Sequence, residues 1–185
     1  SQRYHRIAST VSLVADILIA MSEFIYPPHS SSIERPVVFL AGHETGHNWQ
    51  ADLAHKLLRT SFDITVASPR RPDEAPQDTM TKIEDATWAL RHMRVALGGT
   101  GVLALNLEPT NTADDHVEEQ VRLFGIDRAL SGGDLHDGGN HIVIRVAPGY
   151  RGNEDYVGYL AGETGAIVTQ QEAEFIAQIL ARLRS

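Results

Sequence analysis

The chain has 185 residues, no cysteine and a formal net charge of −8. A domain of this size buries enough surface to fold without cross-links, and the lack of cysteine excludes thiol nucleophiles, disulfides and thiolate-bound zinc. The acidic balance argues against a phosphate-tracking surface and so against nucleic acid as a partner, and a cysteine-free chain suits the cytoplasm.

From the amino end, Val11 to Ile25 (VSLVADILIAMSEFI) is the most apolar segment. It is shorter than the ~20 residues of a membrane span, carries Asp16 and Glu23, and lacks the basic start and small-residue cleavage site of a secretory signal. No membrane association is expected; a helix packed on the domain or on a partner chain is. Residues 1–25 are thus read as an N-terminal helix, 26–35, rich in Pro and Ser, as a linker, and 36–185 as the main domain.

After the linker, PVVFLAG is a short continuous apolar run, as expected of a buried parallel strand. Asn48 to Leu58 follows as a helix, with Trp49, Leu53, Leu57 and Leu58 on one face. FDITVASP is a second strand stopped by Pro69, and Asp78 to Leu97 a longer helix with Met80, Ile83, Thr87, Leu90 and Arg94 spaced by three or four. Trp88 on that helix is read as core. GVLALNLEP is a third strand, Asp115 to Phe124 a helix, HIVIRVAPG a fourth strand, GAIV a short fifth, and Gln170 to Leu183 the last helix. This alternation predicts an α/β sandwich on a parallel five-stranded sheet with right-handed crossovers. Ligands in such folds sit beyond the carboxyl ends of the strands, which selects Gly42 to Trp49, Ser68 to Glu74, Asn106 to Glu119 and Ala147 to Tyr156.

Within the first of these, His43-Glu44-Thr45-Gly46-His47 matches the zinc-peptidase pattern H-E-x-x-H. That chemistry needs both histidines on one helix face beside the glutamate. Here the pattern follows directly on a strand and Gly42, Gly46 weakens a helix inside it, and no third ligand follows: the extended pattern would place Gly at Gln50 and His at Leu53. A zinc peptidase is the minor reading, and no metal is expected. His43, Glu44 and His47 instead stand as candidate substrate contacts at the mouth of the sheet.

Several segments in order (VVFLAG, Gly46 with NWQ, ASPRRPD, a helix with Trp88, a strand ending in Pro109, and VAPGYRGNEDYV) resemble the nucleoside 2-deoxyribosyltransferase-like family over roughly Pro36 to Val168. The resemblance rests on order and spacing rather than on one motif. It implies a flavodoxin-like three-layer sandwich, a homo-oligomer or larger assembly, a nucleoside or nucleotide as ligand, no cofactor, and cleavage or exchange of an N-glycosidic bond. The nucleophile it implies is a glutamate near the start of the helix after the third strand. In EPTNTADDHVEEQVRLFG, Asp115 caps that helix; Glu118 lies at the edge of its buried face and is the first candidate, Glu119 the second. By the same resemblance Phe39, Gly42 and His43 lie beside the sugar, Pro69, Arg70 and Arg71 on the base side, Asp85 on the next helix, and Asn153 near the sugar. The chain departs from the family where Ala-Asp usually precedes the third strand, here LGGTGV, and at Ala89, where a glutamate usually follows the helix tryptophan. It departs too around the nucleophile, where Glu118-Glu119-Gln120 or Glu119-Gln120-Val121 replaces Glu-Leu-Gly. An inactive module used for ligand sensing or assembly is the alternative these departures leave open.

Overall fold

The computed structural model describes residues 22–31, 33–42, 47–60, 62–72, 78–98, 100–109 and 141–184. Six strands form one parallel sheet: β1 (Glu23–Ile25), β2 (Val37–Gly42), β3 (Thr65–Ala67), β4 (Val102–Leu107), β5 (Ile142–Val146) and β6 (Ile167–Thr169). Their order across the sheet is β1-β3-β2-β4-β5-β6. The register sets Val38 opposite Val66 on one side and opposite Val102 on the other. Four helices accompany them among the described residues: α1 (Trp49–Leu58), α2 (Thr79–Gly98), α3 (Glu154–Thr164) and α4 (Glu172–Arg182).

Side chains alternate across a strand, and here both faces are apolar. Val38 and Leu40 of β2, with Val102 and Ala104 of β4, face Leu53, Ala54 and Leu57 of α1 and Phe175 and Ile179 of α4. Val37 and Phe39, with Leu103, Leu105 and Leu107, face Trp88 and Ala96 of α2 and Val157 and Leu160 of α3. The result is three layers, helices on each side of the sheet. Leu57, Leu160, Phe175 and Ile179 are among the side chains closed off from solvent, each stabilising the fold by about 1.5–3 kcal/mol relative to exposure.

The sheet has six strands rather than the expected five. The extra one, β1, is the tail of the segment expected to be helical. Phe24 and Ile25 suit a strand, and the edge of β3 offers a ladder: Glu23 N donates to Ile64 O at 3.1 Å and Ser68 N to Ile25 O at 3.0 Å. Residues 1–21 lie outside the described residues. The expected linker is anchored: Trp88 Nε1 donates to His29 O at 2.7 Å, Ser31 Oγ bonds Glu23, and buried Arg35 reaches Glu23 at 3.2 Å and Asp63 at 2.6 Å.

Two helical expectations need correction. α3 has no counterpart among the expected elements; Asn153 Oδ1 starts it by accepting from Tyr156 N at 3.0 Å, and Gly165 ends it in the left-handed region at φ 72°. On α2, Met80, Ile83 and Leu90 are 64%, 54% and 51% exposed, while Trp88, His92 and Ala96 face the sheet. Among the described residues no helix is long and apolar enough to cross a membrane.

Candidate functional site

The carboxyl ends of β2, β4 and β5 meet the first turn of α1. Gly42 makes this approach possible: its φ is +146°, and a Cβ there would collide with Asn106 O and lie 2.9 Å from Trp49 Cζ2. Just beyond, Asn48 Oδ1 accepts from Ala51 N at 3.1 Å and caps α1. His47 Nε2 sits 2.6 Å from Asp52 Oδ2, both side chains largely exposed.

The segment after β3 is tied to the same region. Arg70 N donates to Ser68 Oγ at 3.2 Å and Arg70 Nη1 to His47 O at 3.1 Å. Next to it, Arg71 forms a two-pronged ion pair with Asp85 of α2, Nε to Oδ2 at 2.9 Å and Nη2 to Oδ1 at 2.6 Å. The hydrogen bonds to Asp85 raise the affinity of Arg71 for its proton, against a smaller opposing effect of burial. The fork geometry suits a carboxylate well.

A third group was not named among the candidate residues, although Asn106 and Glu108 fall in the selected segment Asn106 to Glu119. Asn106 lies near the end of β4, Glu108 follows the strand directly, and Arg145 of β5 lies opposite Asn106. Arg145 Nη1 donates to Asn106 Oδ1 at 3.1 Å and to Glu108 Oε1 at 2.9 Å. Asn106 Nδ2 donates to the same Glu108 oxygen at 2.9 Å, and Arg145 Nε to Gln170 O at 3.2 Å. Asn106 is only 3% exposed, so the glutamate is oriented by a buried amide and a cation together. The cleft over this group is small, about 140 Å³. It is walled by the His47–Asp52 pair and by Lys56 bonded to Glu172, with Trp49 and Phe175 beneath. A signal was present: Asn106 and Glu108, two apart, and Arg145 all interrupt apolar strand runs near their carboxyl ends, where a packed core alone would favour apolar side chains.

The expected residues fall into three sets. Gly42, His47, Pro69, Arg70, Arg71 and Asp85 gather along the carboxyl edge, linked by Arg70 to His47 and by Arg71 to Asp85. Phe39 is a core residue, 4% exposed, and Asn153 spends its side-chain oxygen on capping α3. His43, Glu44, Glu118 and Glu119 lie outside the described residues, as does the helix expected at Asp115 to Phe124. Among the described residues, no three potential ligands gather to hold a metal ion. The Gly-Tyr loop is tightly built: Gly149 has φ +86°, and a Cβ on Gly152 would run into the ring of Tyr150.

Fold and edge together define a parallel α/β protein with polar groups collected where such folds bind ligands. No protein-family model matches the chain, and no curated protein matches it in sequence.

Proposed function

We propose that the chain binds a nucleoside or nucleotide at the carboxyl edge of the sheet and cleaves or transfers its N-glycosidic bond by double displacement. The observation that carries this reading is topological. With β1 set aside, the strand order is β3-β2-β4-β5-β6, which is the flavodoxin-like order 2-1-3-4-5 and has its reversal between β2 and β4. Gly42 and Asn106 touch at that reversal. The arrangement supports the expectation drawn from the resemblance to nucleoside 2-deoxyribosyltransferase-like proteins.

In the proposed reaction, a Glu118 carboxylate oxygen attacks the anomeric carbon and the C–N bond breaks. Its electron pair leaves with the base, which is protonated or hydrogen-bonded as it departs. A second base, or water, then attacks the same carbon, loses a proton and releases Glu118. Incubation with the common deoxynucleosides and their 5′-phosphates, followed by chromatography for free base, tests this directly. Glu118→Ala is expected to slow release on the order of a thousandfold or more. If neither it nor Glu119→Ala changes the rate, the mechanism is wrong.

The second reading, an inactive module that senses a ligand or serves assembly, is favoured by one feature of the edge. Arg71 is engaged by Asp85, Arg70 by the His47 carbonyl, and Asn153 by its helix. Under that reading no base is released, yet a nucleoside raises the unfolding free energy, by about 2.7 kcal/mol at a hundred times its dissociation constant.

A further inference from the structure

The outward face of α2 carries large apolar residues that are exposed. Met80, Ile83 and Leu90, with Thr87 and Arg94 between and beyond them, follow the spacing three, four, three, four. All five are exposed and turn away from the Trp88, His92 and Ala96 face that packs on the sheet, whereas Leu97, next on the same spacing, is buried, so the seam ends at Arg94. This is the spacing of a helix-pairing seam, with Met80, Thr87 and Arg94 at one heptad position and Ile83 and Leu90 at the other. At 1.5 Å per residue the seam runs roughly 21 Å along the helix surface.

Charge along the seam says what covers it. Glu84 flanks its amino half and Arg91 its carboxyl half, on the same side, and both are exposed. A parallel pairing of two α2 helices would stack Arg94 on Arg94 and set no opposite charge across the seam from Glu84 or Arg91. An antiparallel pairing about a two-fold axis near Thr87 sets Glu84 of each helix beside Arg91 of the other, twice by symmetry. It also carries the two Arg94 side chains to opposite ends, where their aliphatic stems cover apolar surface. We infer that α2 is a self-association surface, and that its occupant is α2 of a second copy of this chain, packed antiparallel.

Sedimentation of the full chain tests the inference. The wild type is expected at twice the chain mass, and Ile83→Glu or Leu90→Glu at the chain mass. Glu84→Arg and Arg91→Glu, each placing like charges together twice, are expected to weaken the dimer by roughly tenfold apiece, and the double swap to restore it. Restoration cannot come from a misfolded variant. A monomeric wild type, as when residues 1–21 of the same chain cover the seam, would overturn the proposal. So would an oligomer whose mass ignores Ile83→Glu, or a double swap that fails to recover the dimer. None of these outcomes depends on base release.

Discussion

His92 shows how one buried side chain links stability to pH. Its ring stacks on Trp88, centroids 3.9 Å apart, and its Nδ1 lies 2.8 Å from Trp88 O. A carbonyl only accepts, so Nδ1 carries a proton and the neutral ring leaves Nε2 without one. Burial pushes the pKa of His92 down, only partly offset by the bond to Trp88 O. The unfolded chain, with His near 6.5, therefore binds a proton that the folded chain resists. The contribution of His92 is intact above that value and is lost as pH falls below it toward the folded pKa. Urea midpoints measured from pH 7.5 down to 5 should fall more steeply for the wild type than for His92→Phe, which keeps the stack but cannot titrate. Parallel slopes would show that His92 does not contribute. From the sequence, His92 was one of nine histidines with nothing to single it out. Its partner Trp88 reads as core from the apolar pattern of the helix, and it is buried although Met80, Ile83 and Leu90 of that helix face outward.

Helix starts illustrate what an element reveals in advance and what it hides. The helix expected at Asn48 to Leu58 is α1, with Asn48 serving as its N-cap rather than its first helical residue. Asn153 caps α3 in the same way, and packing of Val157 and Leu160 on the sheet outweighs the cost of the glycines that follow. Replacing either Asn by Ala should cost about 1 kcal/mol, read as a shift in urea midpoint at unchanged slope. A cost near zero at Asn153 would mean that tertiary packing alone holds α3. On α2, periodicity identified a stripe but not the side it faces. The sheet takes the stripe with the small Ala96 and the flat Trp88–His92 stack, which lets the helix approach closely, and leaves the bulkier Met80, Ile83 and Leu90 outside.

At the scale of the molecule, strand-helix alternation made the parallel α/β architecture legible, because buried strands read as apolar runs. β1 was hidden: three residues are too few for a pattern, and their pairing with β3 comes from some forty residues away. The polar cleft was only half legible: Asn106 and Glu108 fall in a selected segment, but their link to Arg145 exists only when β4 and β5 lie side by side. Among the described residues, β1 is the first element that pairs into the sheet. A chain starting at Pro36 loses β1 and uncovers the edge of β3, together with Ile25, the Glu23–Arg35 pair and the His29 contact to Trp88. Such a chain should unfold at lower urea than one starting at Ser22 and aggregate through the opened edge. Equal midpoints for the Pro36 and Ser22 chains would show that β1 is dispensable.

Because β1 runs parallel to every other strand, the chain enters it at the amino-terminal rim of the sheet, the rim opposite Gly42, Asn106 and Arg145. A surface tether or fluorescent handle attached just ahead of Ser22 would hold the molecule by its closed end, with the polar cleft presented to the solution.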